Sequence, residues 1–152
     1  MQSEDILFSS LIDKLAKNKC IQKISDTLLP TQRSPIFQFQ IENSLEDRIK
    51  LSQDLTAKYP DKIPILVEFQ DLTIKPLKFL VQFDEIVLRL ISKIRVNQNI
   101  SFTKSIFLMT ETHQLLAGSA VIGHIYEEYL HQKHLSRDKI LYLMVYNENT
   151  FG

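Results

Sequence analysis

Leu7, Phe8, Leu11, Ile12 and Leu15 recur at the three-and-four spacing of an amphipathic helix, which Ser3 is placed to cap and which the pattern carries to about Lys19. The polar side holds Lys14, Lys17 and Lys19, with Lys23 beyond, nearly balanced by Glu4, Asp5 and Asp13. That balance favours a helix packed on a domain or partner over one lying on a membrane. Leu29-Pro30-Thr31-Gln32-Arg33-Ser34-Pro35 then reads as a linker, because two prolines bracket polar residues. Residues 1–35 are therefore expected to form an N-terminal helical extension to a domain starting near Ile36.

Within that domain, Ser44-Leu45-Glu46-Asp47 has the form of a capping box. Ile49, Leu51 and Leu55 give the following helix an apolar side as far as Lys58, and Pro60 ends it. Ile63–Phe69 and Leu77–Gln82 are short β-branched or aromatic runs joined by a polar connection, the pattern of a hairpin. Asp84 is a candidate N-cap for a helix to about Val96, with Val87, Leu90, Ile91 and Ile94 on one face. Ser105–Met109 reads as a third strand. Gly118 and Ser119 open a helix whose Ile122, Ile125, Tyr126, Tyr129 and Leu130 share a face, and Ile140–Tyr146 is apolar enough to be a central strand. The order strand, strand, helix, strand, helix, strand suits an α+β β-grasp sheet with a helix across one face and the last strand beside the first.

Composition narrows the classes. A chain of 152 residues, 44% hydrophobic, has room for one domain with a real core. Its formal net charge of zero supplies no field to hold a polyanion, which argues against nucleic acid as a partner. The one cysteine, Cys20, cannot close an intrachain disulfide, and nothing near Met1 reads as a secretory leader. No apolar run approaches the roughly 20 residues that span a bilayer. The expected location is cytoplasmic, with any membrane attachment covalent or peripheral.

The C-terminal residues Asn147-Glu148-Asn149-Thr150-Phe151-Gly152 carry the candidate chemistry. A terminal glycine has no side chain, so it threads a narrow enzyme channel and can be joined through its carboxylate to a thiol and then an amine. Any chain must also stop somewhere, and a glycine alone supports either reading. More residues then become specific: Lys58-Tyr59-Pro60-Asp61-Lys62-Ile63-Pro64-Ile65-Leu66-Val67-Glu68, Lys78-Phe79-Leu80-Val81, Ser119-Ala120 with Gly123-His124-Ile125-Tyr126-Glu127-Glu128, and Glu148-Asn149-Thr150-Phe151-Gly152. Together they resemble the ubiquitin-like modifiers of autophagy, the family of autophagy-related protein eight and its GABA-receptor-associated relatives, over about Phe37 to Gly152.

The resemblance implies a ubiquitin-like β-grasp preceded by two short helices, about Phe37–Asn43 and Ser44–Lys58, in a domain of residues 36–152. It implies a modifier with no catalysis of its own and no cofactor, conjugated through Gly152 to phosphatidylethanolamine. Phe151 matches the aromatic gripped by the family's enzymes. The implied partners are activating and conjugating enzymes, a processing and deconjugating cysteine protease, receptors with short aromatic-x-x-aliphatic motifs, and the autophagosomal membrane once lipidated. An edge strand can take an extended peptide as one more strand, with flanking pockets for alternate side chains. By resemblance the strand is Lys78–Gln82, with an aromatic pocket of Leu55, Pro64, Leu80 and Ile140 and an aliphatic pocket of Phe79, Val81 and Leu90. Lys62 and Lys78 would meet acidic residues flanking the motif. Departures fall at Gln82, where proline is usual, at Leu51, where an acidic residue is usual, and at Ile140, where an aromatic is usual. Two other readings on the same fold stay open, a binding adaptor that is never conjugated and a protein-to-protein modifier of the autophagy-related protein twelve type.

Enzyme and metal signals are weak. Cys20 lies in the extension without a glycine-rich turn or nearby histidine, and reads as an inert thiol. His131 and His134 stand near Glu127 and Glu128, but a charged helix end accounts for them more simply than a metal site.

Overall fold

The computed structural model describes residues 36–147. The expected helix from Ser3, Cys20, the linker 29–35 and the C-terminal residues Phe151 and Gly152 lie outside the described residues. The chain runs α1 (Gln38–Glu42), α2 (Leu45–Lys58), β1 (Lys62–Phe69), β2 (Leu77–Gln82), α3 (Val87–Gln98), β3 (Ile106–Thr110), α4 (Ile122–His131) and β4 (Leu141–Asn147). The Ser44 side chain accepts from the Asp47 amide at 3.2 Å and donates to the Asp47 carboxylate at 2.8 Å, so Ser44 is the N-cap of α2, as its place in the sequence predicts.

β1 and β2 make the expected antiparallel hairpin, in register from Lys62↔Gln82 to Val67↔Leu77. β4 lies parallel to β1, from Ile65↔Leu141 to Phe69↔Val145, and β3 pairs antiparallel with β4. The order is β2-β1-β4-β3, which leaves β2 and β3 at the edges and the most apolar strand inside. Strand alternation divides the core in two. Ile63, Ile65, Val67, Phe79, Val81, Leu141 and Leu143 face α3 and α4 with Val87, Leu90, Ile94 and Ile122. Leu66, Leu80, Tyr142 and Met144 face the N-terminal helices with Phe37, Phe39, Leu51 and Leu55. Each fully buried Leu or Ile is worth roughly 1.5–3 kcal/mol, so both layers contribute to holding the four-stranded sheet.

One boundary departs from the sequence pattern. Asp84 does not cap α3; the N-cap is Ile86, with no side-chain cap bond. The Val87 and Leu88 amides donate instead to the carbonyls of Ala120 and Gly118, at 3.0 and 2.9 Å. In return, the carbonyls of Glu85 and Phe83 accept from Ile122 and Gly123. The same exchange delays α4, which starts at Ile122 rather than at Gly118 because residues 118–121 are spent on this pairing. Gly123 is required there: a Cβ would come within 2.3 Å of the Phe83 ring.

Candidate functional site

The outer side of β2 pairs with no strand among the described residues. Its backbone groups on that side are therefore a template for a further strand. The residues behind that edge divide by face. Leu80 points to the N-terminal helices, in one cluster with Leu55 and Ile140, and its register partner Pro64 is on the same face. Phe79 and Val81 point the other way and share a cluster with Leu90 of α3. The two residue sets are thus each brought together, one on either side of the edge strand. All seven are buried, so they form the floor of each flank, while Lys62 and Lys78 are half-buried and Gln82 is exposed.

The flank containing Leu55 and Ile140 is held by a polar lock that the sequence reading did not assemble. Arg48, on the first turns of α2, puts Nη1 2.6 Å from Asp138 Oδ2. Tyr142 of β4 also donates its hydroxyl to Asp138, and Asp138 Oδ1 accepts from the Ile140 amide at 3.1 Å. The carboxylate is 1% exposed and fully engaged, which is the condition for a buried charge to be tolerated. Burial works to lower the Arg48 pKa, but Tyr142 and Asp138 outweigh it and hold the guanidinium charged. The lock fixes α2, and hence Leu55, against the start of β4, and hence Ile140.

A second device seats α1. This five-residue helix has Phe37 as N-cap and no cap bond of its own. Glu68, an acidic residue inside the apolar run of β1, supplies it: Oε1 accepts from the Gln38 amide at 2.8 Å and Oε2 from the Phe39 amide at 3.2 Å. Burial nevertheless raises the Glu68 pKa, and the two amide bonds offset only part of that. Glu111, just after β3, takes a bond from Gln40 of α1 at 3.3 Å on Oε2. Its Oε1 is buried without a partner, since the nearby Tyr129 hydroxyl gives its proton to the Leu135 carbonyl. Burial pushes the Glu111 carboxyl up to about 7. The signal for both residues was a lone acid in an otherwise apolar or strand-end context, which periodicity alone does not interpret.

His131 closes α4 and His134 lies beyond it. Among the described residues, no group of three or more His, Cys, Asp or Glu side chains is placed to hold a metal, and no helix is long and apolar enough to cross a membrane.

Residues 47–152 match the family described as autophagy protein Atg8, ubiquitin like. Autophagy-related protein 8 of Schizosaccharomyces pombe is 36% identical over 119 residues, covering 76% of this chain and 93% of that protein. Autophagy-related protein 8a of Arabidopsis thaliana is 34% identical over 118 residues, covering 75% of this chain and 92% of its own length. The crystal structure of Trypanosoma brucei ATG8 superimposes with a TM-score of 0.65 at 24% identity, covering 75% of this chain and 97% of that one, which establishes the ubiquitin-like fold. The chain is accordingly a non-enzymatic, ubiquitin-like protein of autophagy, and it belongs to the Atg8 family.

Proposed function

We propose that the chain is a modifier coupled through the Gly152 carboxylate to phosphatidylethanolamine, and that the β2 edge captures receptors with aromatic-x-x-aliphatic motifs during autophagosome formation. What supports the reading most directly is the arrangement at β2: an edge that no strand among the described residues pairs with, and two separate apolar clusters, one behind each face. A peptide added along β2 would set alternate side chains toward Leu55, Pro64, Leu80 and Ile140 on one side and toward Phe79, Val81 and Leu90 on the other. Lys62 and Lys78 would pair with acidic residues flanking the motif. Residues 36–152 then act as the modifier domain and residues 1–35 as its appendage. Phe151 is the residue the activating enzyme and the cysteine protease would grip, and the protein would pass from cytoplasm to autophagosomal membrane on conjugation.

The experiment is the intact mass of the chain after incubation with the activating and conjugating enzymes, ATP and phosphatidylethanolamine liposomes. A gain of one lipid minus water, absent in Gly152→Ala, is expected. An unchanged mass with enzymes that lipidate another family member would overturn the conjugation half and leave a binding adaptor. The peptide half is tested separately, by titrating a fluorescent acidic-flanked Trp-x-x-Leu peptide.

A further inference from the structure

The three most exposed large apolar side chains of the described residues are Phe102 at 87%, Val96 at 81% and Leu72 at 78%. Topology puts all three at one end of the sheet. β1 and β4 are parallel and run out together, with Phe69 opposite Val145, and the connection carrying Leu72 leaves from Phe69. β3 enters at the same end, Ile106 opposite Asn147, and the segment just before it carries Val96 on the last turns of α3 and Phe102 in the connection. From Asn147 only residues 148–152 separate the sheet from Gly152, a contour of at most about 18 Å.

Leu72 and Phe102 are presented by the same device. In Asp71-Leu72-Thr73-Ile74, the Ile74 amide donates to the Asp71 carbonyl at 3.1 Å, and the Thr73 amide and hydroxyl donate to Asp71 Oδ1 at 2.9 and 2.6 Å. In Ser101-Phe102-Thr103-Lys104, the Lys104 amide donates to the Ser101 carbonyl at 3.1 Å, the Thr103 amide donates to Ser101 Oγ at 3.2 Å, and the two hydroxyls bond at 2.9 Å. Each turn thus holds an apolar residue at its corner by polar bonds at its base. Each is also anchored inward, through Ile74 and Ile100 packed on the core, so exposure of Leu72 and Phe102 does not follow from a lack of attachment. Arg95 fastens the second turn by donating to the carbonyls of Ser101 and Lys104 at 2.9 and 2.7 Å, with its guanidinium 5.8 Å from the Phe102 ring.

We propose that Leu72, Val96 and Phe102 form a bilayer-contacting tip that enters the headgroup–acyl boundary when Gly152 is tethered to lipid. This rests on the lipid-conjugation reading of Gly152. Separate prongs, two on turn corners and one on the end of a helix, suit a deformable lipid interface better than a protein partner, which needs a continuous complementary patch. The charges of the two connections and the end of α3 agree: Lys75, Arg95 and Lys104 stand against the single carboxylate Asp71, which already accepts from Thr73. Basic side chains around inserted apolar ones are the composition that anionic and zwitterionic surfaces hold. Tethering supplies the high effective concentration that lets three side chains suffice.

The chain has no tryptophan, so Phe102→Trp is a unique reporter. In a Cys20→Ser/Gly152→Cys background, the protein is coupled to phosphatidylcholine vesicles doped with maleimide-phosphatidylethanolamine, which bypasses the enzymes. Tethered Phe102→Trp is expected to emit at shorter wavelength and to be quenched about twofold or more by brominated acyl chains. Leu88→Trp, at the start of α3 and hence the opposite end of the domain, is expected to do neither. Unchanged emission of Phe102→Trp on tethering would overturn the proposal, as would equal quenching of Leu88→Trp. A blue shift without bromine quenching would overturn it too, in favour of contact between copies. Because the tether is chemical, a failure of enzymatic conjugation counts against the function of Gly152 and leaves this outcome to stand by itself.

Discussion

Arg48 reaches Asp138 at 2.6 Å across 90 residues of chain, and Asp138 in turn takes the amide of Ile140 and the hydroxyl of Tyr142. One carboxylate therefore ties the N-terminal helices to the start of the central strand. Asp138→Ala leaves Arg48 half-buried without its anion and should cost about 3–5 kcal/mol in urea unfolding. Arg48→Met leaves Asp138 with Tyr142 and the amide and should cost less. A larger loss for Arg48→Met would show that the guanidinium, not the carboxylate, is the hub.

Glu111 makes stability depend on pH in a definite direction. Burial raises its carboxyl from an ordinary 4.5 to about 7, so the folded chain holds this proton more tightly than the unfolded one. The stability from the protonated form is complete below about 4.5 and is lost as pH rises through about 7. Glu111→Gln keeps an acceptor for Gln40 and removes the charge. It should stabilise the domain at pH 8 by about 1–3 kcal/mol and flatten this part of the pH profile, read by denaturation at several pH values.

Glu68 caps α1 from a neighbouring strand, so its loss should appear locally before it appears globally. Glu68→Ala orphans the Gln38 and Phe39 amides and should cost about 1–3 kcal/mol. Hydrogen exchange at those two amides should accelerate well beyond that of β4. Uniform acceleration across the domain would mean that α1 is not a separable unit.

The lysines beside the β2 edge should affect the affinity of the proposed peptide only modestly. Lys62→Glu and Lys78→Glu each replace a half-buried cation that would meet acidic flanks, and exposed pairs are worth under about 1 kcal/mol. Each should weaken an acidic-flanked peptide by about fivefold or less, with the difference fading at high salt. A variant that binds an uncharged-flank peptide as weakly would indicate a damaged groove instead.

The strands were legible as short, nearly continuous β-branched and aromatic runs, which is how strands read when both sheet faces are covered: Ile63–Phe69 and Leu77–Gln82 read directly as the hairpin. α3 was misplaced at its start because Asp84 is a good local cap, and only the pairing of residues 83–88 with 118–123 shows why the helix waits until Val87. The residues behind the β2 edge were named by resemblance; the alternation of Phe79, Leu80 and Val81 shows how they divide between two faces. The Arg48–Asp138–Tyr142 lock was not legible. Its members are 90 and 94 residues from Arg48, and local periodicity contains no information on such pairs.

The parallel pairing of β1 with β4 has a mechanical meaning for a protein held at one end and loaded at another. Were Gly152 anchored and cargo bound along β2, tension would run from β4 through β1 to β2. Pulled lengthwise, the five registered pairs from Ile65↔Leu141 to Phe69↔Val145 share the load at once instead of parting one after another. Such a linkage resists in shear, as a lap joint does, and the receptor should be released before the domain unravels.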